Sequence, residues 1–254
     1  MRDIKQEWQR TQLHWDDKTT IQRQKVPKSV ILNWRKINHI LQELCREKKA
    51  LGGKNLFMVD IGCGSGKIYN GLESAANLYI GIDPSDKMLS YVKKEQNQQF
   101  IRGVGEKLPL QDGVADIILL KSVLDQCYSP LEVISESKRV LKDGGWLIIS
   151  LSNRNSYYAS IRKLYNRLQG HKSEHVFEKG NLFYFDMKQV DSMLKDEGLN
   201  TLKYISVSYF VFPKTLERLI PDSIFKKLID LADRIGNVIL PQKGGGFIIV
   251  GEKK

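Results

Sequence analysis

The stretch VDIGCGSGKIYN, residues 59–70, sets glycines at 62, 64 and 66 directly after an apolar run, with Lys67 following the last of them. Alternating glycines behind a buried strand specify a tight turn into a helix, where backbone amides approach a ligand without a Cβ in the way. Spacing separates the ligand classes that use such turns. A triphosphate loop, G-x-x-x-x-G-K-[ST], needs glycine at position 61 and Ser or Thr at 68, but the chain has Ile61 and Ile68. A dinucleotide fingerprint, G-x-G-x-x-G, needs glycine three residues after Gly64, where Lys67 stands. What is left is an acid, a spacer and three glycines: Asp60-x-Gly62-x-Gly64-x-Gly66.

Outward from this turn, strand and helix signals alternate. LFMVDI (56–61), LYIGID (78–83), QFIRGV (99–104), ADIILLK (115–121) and WLIISLS (146–152) read as buried strands. Helices are expected at 66–75, at 85–96 behind a cap at Ser85, and at 130–141, with KDGG as a turn before the fifth strand. That rhythm predicts an α/β, doubly wound, mostly parallel sheet. Before it, an arm and an amphipathic helix with a cap at Ser29 occupy residues 1–50. After Asn153 come a basic, aromatic amphipathic segment, a polar loop with His171 and His175, and a capped helix at 186–198. A sixth strand at 202–212, an amphipathic helix at 223–240 and a last strand complete the chain. We expect one domain over 1–254, with a core at 56–153 and insertions at 154–185 and 213–245. The 223–240 helix, with Ile224, Leu228, Leu231, Ile235 and Val238 near one face, is expected to pack on the core as a lid in preference to a membrane surface.

Composition bounds the setting. The formal charge of +11 is unevenly spread, at +7 over residues 1–56, −2 over 57–153 and +6 over 154–254. Basic flanks favour anionic partners: nucleic acid, charged small molecules or an acidic membrane surface. No apolar run approaches the ~18–20 residues of a membrane span, and MRDIKQEWQRTQLHWDD lacks the apolar region of a secretory signal. Cys45, Cys63 and Cys127 are scattered without metal-type spacing, so free thiols, no metal and a reducing cytoplasm are expected.

Several ordered motifs now converge. Asp60 to Gly66, YIGIDPSDKML with Asp83 placed 19 residues after Gly64, GEKLPLQDGVADIILLKSVLDQ and RVLKDGGWLIIS together resemble the class I S-adenosylmethionine-dependent methyltransferases, and most closely their type 11 branch. The resemblance implies a Rossmann-like sheet of seven strands, the last antiparallel, with helical lid insertions. It implies S-adenosylmethionine as cofactor and S-adenosylhomocysteine as product. It also implies a cofactor site made of Asp60, Gly62, Cys63, Gly64, Gly66, Asp83, Pro84, Met88, Gly105, Glu106, Lys121 and Ser122. In it the glycine turn receives the methionine carboxylate, Asp60 meets the cofactor's positive charge, and Asp83 accepts the ribose hydroxyls. Pro84 and Met88 flank the adenine, Gly105 and Glu106 meet its edge, and Lys121 and Ser122 lie beneath the methyl donor. Cys63 reads as a small filler of the turn and not as a nucleophile.

Val104 departs from the pattern. The family often carries an aspartate there for the adenine amino group. Its absence removes a charge-assisted hydrogen bond worth roughly 1.5–3 kcal/mol when buried, unless Glu106 or a backbone carbonyl substitutes. On the acceptor side, Asp125, His171 and His175 are the candidate general bases. Tyr157, Tyr158, Tyr165, Phe183, Tyr184 and Phe185 supply aromatic surface for a hydrophobic or planar small molecule, methylated on oxygen, nitrogen or carbon and lipid-, quinone- or glycan-linked. An RNA methyltransferase is the alternative. The basic flanks support it, whereas KSVLDQ stands where an N-P-P-Y-type amino-methylation motif would be. A further alternative is a non-catalytic interaction module, against which the intact glycine motif and Asp83 argue.

Overall fold

A computed structural model of the chain describes residues 8–9, 28–52, 55–66, 76–93, 96–168, 182–209, 217 and 219–254, without the side chains of 162–166. The expected helix at 66–75, most of the N-terminal arm, and His171 and His175 lie outside the described residues. Seven strands form one sheet: β1 (Phe57–Ile61), β2 (Leu78–Asp83), β3 (Gln98–Arg102), β4 (Ala115–Lys121), β5 (Leu141–Ser152), β6 (Leu199–Val207) and β7 (Gly246–Lys253). Their order is β3-β2-β1-β4-β5-β7-β6. The first five run parallel, while β7 pairs antiparallel with both β5 and β6. The expected doubly wound sheet is the observed one. Strand order reverses between β1 and β4, and in such sheets ligands bind outside the carboxyl ends of the strands at that reversal.

Period-two alternation sends side chains from the central strands to two separate cores. Val59, Ile61, Ile118, Leu120, Leu147 and Ile149 face one side, which is covered by Val133 and Ile134 of α3 (Pro130–Val140) and, past α4 (Tyr157–Leu168) in the chain, by Val190 and Leu194 of α5 (Met187–Asp196). Met58, Tyr79, Ile117, Leu119, Trp146 and Ile148 face the other, under Leu41, Leu44 and Cys45 of α1 (Lys28–Gly52). Leu119 is fully buried at the centre of the sheet. Leu119→Ala is expected to cost about 2–5 kcal/mol, measured as a lower urea midpoint with an unchanged slope.

α1 runs from the carboxyl edge of the sheet to its amino edge. Near one end Lys121 at the end of β4 donates to Asn38, and at the other Lys48 donates to the Gly144 carbonyl and lies 5.1 Å from the Trp146 ring. Ser29 is not the cap of this helix. It lies in the first turn and donates its N–H and hydroxyl to the buried carboxylate of Glu217. Beyond the sheet edge α1 meets α6 (Asp222–Ile239), where Lys36 Nζ sits 2.9 Å from Asp230 and 2.8 Å from Asp233.

The structure corrects four further sequence expectations. α2 (Asp86–Ser90) is far shorter than 85–96, although Ser85 does cap it, accepting from Met88 N at 3.0 Å. The chain leaves the helix as Val92 turns in towards Gly66. KDGG is not a free turn but a bulge within β5: Leu141 pairs with Ala115, the register slips around Gly144 at φ +74°, and pairing resumes at Trp146. β6 ends at Val207, because Ser208 adopts φ +67°. Finally, α6 does not pack through its aliphatic stripe. Phe225, Ile229 and Asp233 point inward, while Ile224 is 51% and Val238 81% exposed. Gly236 helps set that orientation, since a Cβ there would stand 2.2 Å from the Tyr209 ring.

Candidate functional site

β1 and β2 end side by side at the reversal point, and their last residues build the site. Beyond Ile61 the chain turns through Gly62 at φ +71° and Gly64 at φ +55°. An L side chain is strained in that region, and at Gly62 a Cβ would lie 2.2 Å from Val123 Cγ2. The turn is tied to β2 by Gly62 N donating to the Ile82 carbonyl at 2.7 Å. Asp83 locks it further: Oδ2 accepts from Gly64 N at 2.8 Å and Oδ1 from Ser85 N at 2.9 Å. A carboxylate offers about four lone-pair sites, so this bracing is compatible with receiving hydroxyl groups as well. Met88 Cε lies 3.2 Å from where a Gly64 Cβ would be, placing that side chain beside the turn, and Pro84 links Asp83 to the Ser85 cap. Cys63 is buried with its Sγ against Gly81, and burial pushes its thiol well above the ordinary range. It is filler.

Asp60 is the unusual group. It is buried at the end of β1, and its Oδ2 accepts from the Tyr79 hydroxyl at 2.6 Å. Its Oδ1 is buried with no hydrogen-bond partner among the described residues. Burial raises its pKa to about 7, opposed by the Tyr79 hydrogen bond and by Lys121, and assisted by Asp83. A buried carboxylate oxygen without a donor calls for a cation or a proton. The cofactor that the sequence motifs imply brings an ammonium and a sulfonium, so this residue fits it.

The remaining predicted positions divide. Gly105 packs tightly under the edge, where a Cβ would meet Ile61 at 3.0 Å and Val133 at 3.2 Å. Glu106 spends one carboxylate oxygen on the Tyr128 and Ser129 amides, at 2.7 and 3.2 Å, and so bonds the backbone just ahead of α3. Val104 bridges to Lys107 as a small turn. Lys121 is drawn to Asn38 on α1, and Ser122 takes φ +54° with its N–H on the Ser150 carbonyl. Asp125 is buried in the 3-10 turn Leu124–Gln126 that follows β4, and its carbonyl accepts from Leu182 N and Phe183 N at 2.8 and 3.0 Å. The segment carrying the stacked rings of Phe183 and Phe185, with centroids 6.0 Å apart, is thereby pinned to the turn that follows β4.

Three supporting residues escaped the sequence reading. Tyr79 reaches Asp60 only because β1 and β2 are neighbours. Arg139 reaches the Leu108 and Leu110 carbonyls and pairs with Glu136, which accepts from Leu108 N, so this pair braces the loop after β3. Asn153 donates to the Gln242 and Gly244 carbonyls and holds the α6–β7 connection against the end of β5. An arginine two residues before a strand and an asparagine just after one carry no local signal. Their partners are 29–31 and 89–91 positions away.

Comparison with known proteins agrees with this geometry. The family model Methyltransf_11, a methyltransferase domain, matches residues 59–149. The chain is 30% identical to the uncharacterised protein MJ1123 of Methanocaldococcus jannaschii over 196 residues, covering 77% of this chain and 81% of that one. It is 27% identical to the ubiquinone/menaquinone biosynthesis C-methyltransferase UbiE of Campylobacter jejuni over 179 residues, covering 62% and 76% respectively. Among solved structures, a possible histamine N-methyltransferase from Thermotoga maritima shares the fold, with a TM-score of 0.55 at 19% identity over 87% of this chain and 93% of that one. With the ordered motifs and the sheet already described, these matches make the chain a member of the class I S-adenosylmethionine-dependent methyltransferases.

Proposed function

We propose that this methyltransferase binds its cofactor across the carboxyl ends of β1, β2 and β4 and methylates a hydrophobic small molecule delivered from the side of Asp125 and Phe183. The observation that carries the cofactor assignment is the buried Oδ1 of Asp60, which has no donor among the described residues and sits two residues before the left-handed Gly62. In this reading Asp60 faces the cofactor's ammonium, the amides of the Gly62–Gly66 turn face its carboxylate, and Asp83 takes the ribose hydroxyls. Pro84 and Met88 border the adenine and Gly105 admits its edge. Because Glu106 is engaged with the Tyr128 and Ser129 amides, backbone groups of 104–106 are the better substitute for the acid lacking at Val104.

When bound, the cofactor supplies a methyl group on a sulfonium, an electrophile that needs no metal. The chain's own part is alignment and exclusion of water, since orienting two reactants can lower a barrier by ~7–11 kcal/mol. Ser122 and Val123 shape the floor where β4 ends. In this reading Asp125 takes the proton of an acceptor hydroxyl, with His171 and His175 as further candidates. Phe183 and Phe185 offer a flat apolar wall, and similarity to a quinone C-methyltransferase supports a quinone- or lipid-like acceptor. The test is transfer of radiolabelled methyl from the cofactor to a set of phenolic and demethylated quinone acceptors. Label extracted into the organic phase, and reduced by Asp125→Asn, is the expected outcome. Label entering only RNA would overturn the small-molecule reading.

A further inference from the structure

We propose that the outward face of α6 docks the enzyme on an anionic lipid surface. At about 100° per residue, Ile224, Leu231, Ile235 and Val238 fall in one stripe opposite the packed residues Phe225, Ile229 and Asp233, and all four are exposed. Lys227 and Arg234 border the stripe. Arg234, Ile235, Val238 and Ile239 line a shallow depression along it. Exposing this much aliphatic surface on one helix is costly in water, which marks the face as a contact surface.

Charge decides what the surface fits. All three acids of α6 are turned towards α1: Asp222 pairs with Lys28, and Asp230 and Asp233 pair with Lys36. Its three bases, Lys226, Lys227 and Arg234, have no ion-pair partner among the described residues. Lys226 falls on the α1 side among the three acids, whose charges are met by Lys28 and Lys36, whereas Lys227 and Arg234 lie beside the apolar stripe. That is the pattern of a helix lying in a membrane interface, its aliphatic side chains at the acyl boundary and its bases among anionic headgroups. A second copy seated on the same stripe would set these bases against themselves, as an isologous contact requires. No helix among the described residues is long and apolar enough to cross a membrane, so the contact would be peripheral.

The experiment is flotation of the full chain with vesicles of phosphatidylcholine alone or mixed with phosphatidylglycerol. It reads binding without turnover and stands apart from the acceptor assignment. The protein is expected to float with the anionic vesicles and far less with the neutral ones, and salt should weaken the association. Lys227→Ala and Arg234→Ala should each weaken it about fivefold, and Leu231→Asn/Val238→Asn by roughly tenfold or more. Both positions of that pair are exposed, so the thermal midpoint and S-adenosylhomocysteine binding should be unchanged. Absence of flotation with anionic vesicles overturns the proposal, as does flotation that Leu231→Asn/Val238→Asn leaves intact. Stripe-dependent dimerisation in light scattering without vesicle binding would also overturn it, by making the occupant a second copy.

Discussion

Asp83→Ala is expected to weaken S-adenosylhomocysteine binding on the order of a hundredfold in calorimetry, or ~3 kcal/mol. Two losses combine. In the proposed site the ribose hydroxyls lose a charged acceptor, where each hydrogen bond contributes about 1.5–3 kcal/mol. The glycine turn also loses its brace, because Gly64 N and Ser85 N both donate to this carboxylate. Asp83→Asn separates the two contributions: its one carbonyl oxygen can still hold an amide, but the negative charge is gone, so an intermediate loss is expected. The variant's circular dichroism should match the parent, since the residue lies at the strand end and outside both cores. Unchanged affinity in Asp83→Ala would remove the ribose from this residue.

The second large effect is a pH dependence centred on Asp60. Burial lifts its folded pKa from the ordinary 3.8 to about 7. The folded, ligand-free protein therefore holds a proton there that an unfolded chain releases at lower pH. Stability from this group is fully present below the lower value and is lost as pH rises through the upper one. A cation brought beside Oδ1 favours the charged form and pulls the pKa down, so cofactor binding expels the proton. Affinity should consequently rise with pH, approaching tenfold per unit below about 7, and level off above it. Calorimetry in two buffers of different ionisation heat should register up to one proton released below that pKa. Asp60→Asn should abolish both the release and the slope, with its largest loss of affinity above pH 7, where the parent carboxylate is charged. A flat affinity profile in the parent protein would mean that the cofactor's positive charge lies elsewhere.

The sheet was readable from sequence because its strands are buried on both sides and punctuated by turn chemistry. ADIILLK is the plainest case, with residues 117–120 all buried. The glycine turn was readable because only glycine satisfies left-handed backbone at Gly62 with Val123 pressed against it. What escaped is pairwise. Tyr79 looks like an ordinary core aromatic until strand pairing brings its hydroxyl to Asp60. Glu106 reads as a ligand contact, yet the Tyr128 and Ser129 amides claim it. α6 shows why periodicity alone misleads: it has apolar residues on two sides, and the side that turns inward is the one carrying Phe225, Ile229 and Asp233, the last paired with Lys36.

The central claim is that one cofactor molecule spans Asp60, the Gly62–Gly66 turn and Asp83. A crystal structure of the protein with S-adenosylhomocysteine tests it most directly. The account predicts the ligand's ammonium within hydrogen-bond reach of Asp60 Oδ1, its carboxylate on the turn amides and its ribose hydroxyls on Asp83. A ligand seated elsewhere, or an Asp60 Oδ1 that stays buried without a cation beside it, would contradict it.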